Sequence, residues 1–204
     1  VTARGRTKQK MLLGAVELLR ERGSAGVTID AVLTRTGTPR GSVYHHFPGG
    51  RRQLLSETLQ LAADTIADMI ESAAATGPAA AMHRFVEFWR HLLLTSDFHA
   101  VCPAMAVAVG GTEDDRALHP EVAAITTRWH TVLTTSLTGS GFSTDRAKRL
   151  ATLTLSALEG AIILCRTCRS LQPLDDVAAE LEPLLAAHRP TRSDGSDYST
   201  RAPR

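Results

Sequence analysis

The stretch Thr28-Ile-Asp-Ala-Val-Leu-Thr-Arg-Thr-Gly-Thr-Pro-Arg-Gly-Ser-Val-Tyr-His-His-Phe47 decides the fold, because it reads as two short helices joined by a glycine turn. Thr28 is a good N-cap, and Ile29, Val32 and Leu33 fall at i, i+3 and i+4, so a two-turn helix gains one apolar face. Gly37 stops that helix. Thr38 is placed to cap the next one, with Pro39 at the first helical position, where a missing N–H costs nothing. Val43 and Phe47 lie four apart and bury together, leaving Arg40, Gly41, Ser42, Tyr44 and His45 open to a partner. A short helix with a polar outer face, braced by a second, has the shape that enters a DNA major groove.

Upstream, residues 8–22 place Met11, Leu12, Ala15, Leu18 and Leu19 at helical spacing, with Gly23 as a stop, and complete a three-helix unit. Downstream, Pro48-Gly-Gly50 breaks structure. A long helical pattern then covers residues 51–76, on Leu54, Leu55, Leu59, Leu61, Ala62, Ile66, Met69 and Ile70, long enough to link two units. Gly77-Pro78 ends it. Further helical patterns cover residues 79–96, 120–137, 144–169 and 173–188. Residues 101–109 are apolar enough to be buried but declare no form, and Glu113-Asp-Asp115 reads as an acidic loop. No strand-period run, hairpin turn or internal repeat occurs. The expected fold is all-α: an N-terminal three-helix helix-turn-helix DNA-binding domain over residues 1–50, with a basic arm at 1–8, then a larger helical ligand-binding and dimerisation domain over 51–189. Residues 190–204, made of Ser, Asp, Arg and Pro with one aromatic, read as a disordered tail.

Charge is divided along the chain more sharply than the net +2 suggests. Residues 1–52 hold ten Lys/Arg against three Asp/Glu, whereas residues 53–189 hold ten against sixteen. The first quarter suits a polyanion, or is a solvated basic face; the acidic remainder is unsuited to lying on DNA. No run of eighteen apolar residues and no apolar stretch behind the first basic residues is found, so neither a membrane span nor a signal peptide is expected, and the default location is the cytoplasm. Three cysteines suit a reducing compartment better than a disulfide framework. P-loop, dinucleotide-glycine and nucleophile-elbow patterns are absent, and no acid or His pair announces acid/base chemistry, so the chain reads as no enzyme, with no catalytic residue and no cofactor.

With Thr28-Ile-Asp-Ala-Val32, Gly37 and Gly41-Ser-Val-Tyr-His-His-Phe47 at this spacing, followed by a long helix, the chain resembles the tetracycline-repressor (TetR) family of bacterial transcriptional regulators over residues 8–60. Phe47-Pro-Gly-Gly-Arg-Arg-Gln-Leu54 and Cys102-Pro103 are similar to the LmrA/YxaF-type subgroup. Pro48-Gly49-Gly50 makes the turn after the phenylalanine one residue longer than in most relatives. The resemblance implies nine or ten helices, a homodimer through the last two long helices, a palindromic double-stranded DNA operator, and a cavity for a small-molecule effector in the larger domain. It assigns Thr28, Thr38, Tyr44, His46 and Arg51 to backbone phosphates. Arg40, Gly41, Ser42 and His45, following Pro39, fall at base edges, where Arg40 is suited to a bidentate pair with guanine. The arm residues Arg4, Arg6, Lys8 and Lys10 either add phosphate or minor-groove contacts or form a solvated tail.

Aromatic residues make up 4% of the chain, yet Phe85, Phe88, Trp89, Phe98 and Trp129 gather in the middle of the larger domain. They either line a cavity for an apolar or aromatic effector or simply pack a core. Met82, Phe85, Trp89, Met105, Trp129 and Ile162 are the expected wall. His83, Glu87 and His91 recur every four residues, a metal-like spacing that a charged outer face explains better, and no metal is expected. Cys165 and Cys168, with Cys102, are either a thiol switch or packing residues. The expected function is a ligand-responsive dimeric regulator, a repressor released by its effector. The alternative is a helical interaction or ligand-carrier protein with a vestigial helix-turn-helix.

Overall fold

The computed structural model describes residues 3–72 and 76–186, with the side chains of residues 3 and 4 outside that description. Among these residues the regular elements are helices: α1 (Ala3–Arg22), α2 (Ile29–Thr36), α3 (Arg40–His46), α4 (Gly50–Ser72), α5 (Pro78–Thr95), α6 (Pro103–Ala108), α7 (Glu113–Gly139), α8 (Thr144–Cys168) and α9 (Gln172–Leu185), with a 3-10 turn at Ser24–Gly26. The expected tail at 190–204 and the stretch 73–75 lie outside the described residues.

Four boundaries differ from the sequence expectation, each for a local reason. α1 begins at Ala3 rather than residue 8, since Ala, Arg, Lys and Gln are good helix formers even without an apolar stripe. The apolar segment at 101–109 forms the short helix α6, started by Cys102 and Pro103. The acidic triplet is no loop but the first turn of α7. Thr112 Oγ1 accepts from Asp115 N at 3.1 Å, and Asp115 Oδ2 accepts from Thr112 N at 2.9 Å, a reciprocal capping box. Three carboxylates at that end also answer the helix dipole. Finally, α3 starts at Arg40 with Pro39 as N-cap in extended conformation (ψ 142°), so Pro39 is not the first helical residue and Thr38 is not its cap. The Thr38 hydroxyl instead pairs with that of Thr36 at 2.7 Å.

Long α4 organises the rest. Leu54, Leu55, Leu59, Ala62, Ala63, Ile66, Ala67 and Ile70 are buried along one of its faces, so both α1 and the larger bundle pack on it. Buried side chains form one connected core from Met11 to Leu185. Helix α8 packs extensively against both α7 and α9. By length and composition α8 could cross a membrane (mean hydropathy 1.4), but its apolar residues are divided between that core and an outer face.

Contact between α1 and α2 depends on Gly14. A Cβ there would stand 2.4 Å from Thr36 Cγ2. Thr36 is held in place by Oγ1, which donates to Val32 O at 2.7 Å, so it cannot swing aside. Gly14→Ala is therefore expected to cost about 1–2 kcal/mol net despite alanine's better helix propensity. A thermal melt of the variant, set beside an exposed helical alanine substitution, measures this.

Candidate nucleic-acid interface and ligand cavity

Thr28 caps α2 by accepting from Ala31 N at 3.1 Å through Oγ1, which leaves its own O–H proton free to donate outward. Gly37 turns the chain with φ 62°, a left-handed conformation that favours glycine. Val43 and Phe47 are buried as expected, at 1% and 0% exposure. Gly41, Tyr44 and His45 then share the outer face of α3, with Pro48 just beyond its end, and all four are exposed. Tyr44 stands 58% exposed, so it does not rest against α1. A Cβ added at Gly41 would meet nothing within 4 Å. Ser42 and His46 are half-buried beside this face, and the His45 and His46 rings meet edge-on at 5.2 Å.

Arg40 reaches back to Asp30 on α2 in an exposed ion pair, which ties the two helices and orients the guanidinium. An exposed pair of this kind adds little stability. Arg35 is spent inside the unit, donating to Glu21 at 2.7 Å and Glu17 at 3.0 Å on α1. That hydrogen bond, opposed by burial, holds the Glu21 carboxyl below its usual range. Glu21 therefore contributes stability above its unfolded pKa that is lost as pH falls through the lower, folded value. In the basic arm, Lys8 pairs with Glu57 at 2.6 Å and sits over the Phe47 ring, while Arg6 and Lys10 are exposed. The side chain of Arg4 lies outside the described residues.

Arg51 corrects an expectation. Its Nε donates to Val27 O at 2.8 Å, its Nη2 to Ser24 O at 2.6 Å, and its Nη1 pairs with Asp114. All of its directed contacts point inward, because the 3-10 turn and the residue after it turn the Ser24 and Val27 carbonyls toward it and α7 brings a carboxylate beside them. Arg52, next in sequence, is the exposed cation at this end of α4. Asp115 is wholly buried at the same junction. Burial would raise its carboxyl, but hydrogen bonds from Ser24 and Thr112 outweigh this and hold it low. A Cβ on Gly110 would fall 2.4 Å from Asp115 Oδ2, so the chain passes too close there for any side chain.

Two hollows lie deeper in the bundle. An open groove of about 400 Å³ between α7 and α8 is bordered by Met105, Thr126, Trp129, His130, Leu155 and Glu159. Adjoining it through Trp129, Leu155 and Glu159, a narrower crevice of about 30 Å³ is also lined by Met82, Phe85 and Leu133, among others. Trp129 forms a shared wall, its Nε1 donating to Ala63 O on α4 at 3.2 Å. Four of the six expected wall residues are thus brought together. Trp89 and Ile162, 1% and 0% exposed, border neither of these two hollows; Trp89 instead stands near Arg20 of α1.

Family comparisons agree with this layout. Residues 11–58 match the bacterial regulatory protein, tetR family, model, and residues 78–180 match the LmrA/YxaF-like transcriptional regulator C-terminal domain. An uncharacterised HTH-type transcriptional regulator of Mycobacterium tuberculosis is 42% identical over 191 residues, 91% of this chain and 97% of its own length. This chain belongs to the TetR family of transcriptional regulators. The HTH-type transcriptional regulator LmrA of Bacillus subtilis is 28% identical over 89% of this chain and 97% of its own length. A TetR transcriptional regulator from Legionella pneumophila shares the fold, with TM-score 0.77 at 18% identity over 88% of this chain and 97% of that one. A TetR regulatory protein from Rhodobacter sphaeroides does so with TM-score 0.74 at 19% identity over 86% and 96%. The chain is a DNA-binding transcription regulator, and the family's members are not enzymes.

Other residues singled out in this TetR-family chain have local partners. His83 faces Glu182 at 3.3 Å and Glu87 pairs with Arg90 at 3.2 Å, so these helical neighbours serve separate contacts. Cys102 and Cys165 are buried, and Cys168 is exposed. Burial pushes the Cys102 thiol well up, with the Glu159 charge adding to it. Sequence inspection missed Glu159 and Arg52. The signal for Glu159 was present: it is the one charged residue between Arg149 and Arg166.

Proposed function

We propose that the chain is a cytoplasmic, ligand-responsive repressor that binds a palindromic operator as a homodimer and leaves it when a small molecule enters the larger domain. The division into a DNA-binding domain at 1–50 and a ligand-binding and dimerisation domain at 51–189 belongs to this reading. One observation carries it: α3 presents an exposed face with open space at Gly41, where the backbone itself can approach a base pair. On that face Gly41 and His45, with Arg40 and Ser42 at its edge, meet base edges; Thr28, Thr38, Tyr44 and His46 hold phosphates. Arg52 takes the phosphate role that Arg51 cannot fill from its inward position.

Two recognition helices one DNA turn apart read an inverted repeat, so the operator mirrors the dimer's two-fold axis. Release follows from a population shift. A ligand held between α7 and α8 displaces α7, whose first turn carries Asp114 against Arg51 and, through it, the carbonyls before α2. A tenfold loss of operator affinity needs about 1.4 kcal/mol of coupling.

Selection of bound sequences from random DNA tests the reading. An inverted repeat with salt-dependent binding is the expected outcome; no preference over random duplexes overturns it. Gly41→Ala sharpens the test because its two effects have opposite signs. Stability should rise by up to about 0.5–1 kcal/mol from the lost glycine, while operator affinity falls by about tenfold or more. Melting curves and DNA titrations on one preparation read both. Unchanged affinity would place the α3 face away from DNA.

A further inference from the structure

Glu159 is an unusual residue to find where it stands. It lies in the shared wall of the groove and the crevice, on an otherwise uncharged stretch of α8. It is half-buried, and desolvation pushes its carboxyl up to about 7, despite a hydrogen bond with the Cys102 thiol. A thiol is a weak donor, and none of the ion pairs among the described residues includes Glu159. His130, the other titratable group of the groove, has Nε2 within reach of Lys148 O at 3.0 Å and Thr152 Oγ1 at 3.1 Å. Arg20, on α1 beyond Cys102, has its guanidinium over the Phe88 ring.

A half-buried carboxylate without an ion-pair partner is costly, and a glutamine would fill the same volume without that cost. Its surroundings suit a ligand that brings the missing charge. Apolar walls at Met105 and Leu155 accept a hydrocarbon body, Trp129 borders the same groove, and Glu159 offers the counter-charge.

We propose that Glu159 anchors the ammonium group of an apolar, cationic effector seated in the groove between α7 and α8 against Trp129. This rests on the reading of that groove as the effector site.

Three probes with one ring system and different heads separate the two readings: 1-naphthylmethylamine, 1-naphthalenemethanol and 1-naphthoate, titrated calorimetrically into the full chain at pH 8. The amine should bind at least about tenfold more tightly than the alcohol, and the naphthoate weakest. In Glu159→Gln the amine should fall to the level of the alcohol, whose own affinity stays unchanged, which shows that the variant is folded. Glu159→Asp should keep the amine preference. Because a proton competes for the carboxylate below pH 7, amine affinity of the native chain should climb by up to about tenfold per unit from pH 6 and flatten by pH 8, and Glu159→Gln should lose that slope. Equal binding of amine and alcohol, or an amine preference that survives in Glu159→Gln, overturns the anchor while leaving the groove as a ligand site. If none of the three binds, the groove reading fails and the anchor with it.

Discussion

A Gly160→Trp variant is expected to run as a folded monomer and to lose operator affinity by about 10²–10³-fold. Gly160 lies on the outer face of α8, in line with Ser156 and Ile163, and beside Leu153 and Leu164, which are 45% and 53% exposed. A Cβ on Gly160 meets nothing within 4 Å, so within one subunit a large side chain there has room. Only a partner helix crossing close to that glycine would feel it. Apolar residues left open on a helix this well packed elsewhere fit a two-fold contact, in which each α8 supplies both the bulky and the small positions. Sedimentation of native and variant chains checks the first half of the expectation. DNA titration with a full inverted repeat and a half-site checks the second: the native chain should lose most of its affinity on the half-site, and the variant should not tell the two apart. A Gly160→Trp chain that remains dimeric would move the interface elsewhere.

The second large effect concerns two adjacent arginines with opposite jobs. Arg51→Ala removes donors from the Ser24 and Val27 carbonyls and leaves Asp114 without its partner, all at a junction where Arg51 is 23% exposed. The expected loss is about 2–4 kcal/mol, and with it a melting temperature lower by roughly 2–4 °C for each kcal/mol. Arg52→Ala should leave the melt unchanged, weaken binding to every DNA sequence alike and flatten the salt slope by about one unit. The pair thus separates a structural contact from a phosphate contact. If Arg51→Ala melts like the native chain but flattens the salt slope, the inward contacts are not what matters at this position.

Arg51 also shows why some of the site escaped the sequence. Its neighbours in space, Ser24, Val27 and Asp114, lie 27, 24 and 63 positions away, and no local pattern announces which of two arginines turns inward. Pro39 of α3 is similar: residue type allows it at either of two adjacent positions, and the structure places it at the N-cap in extended conformation. In sequence the acidic triplet at 113–115 reads as a loop, because charge runs favour solvent. Its role became plain once Thr112 and Asp115 were seen to cap each other across three residues. Residue type and helical position do not separate Met82, Phe85, Met105 and Trp129, which border the two hollows, from Trp89 and Ile162, which do not.

By itself the sequence determined the helices, the helix-turn-helix with its glycine and its outward residues, and the family. Those depend on local spacing, on caps and on which side chains repeat every three or four positions, and such information is carried within a few turns of chain. Tertiary structure alone decided which arginine faces inward, that a carboxylate stands in the wall of a groove, and that Trp129 borders that groove while Trp89 does not. Each of these depends on how α4, α7 and α8 lie against one another, and contacts between residues sixty or more positions apart are set by packing of the whole bundle rather than by any segment of it.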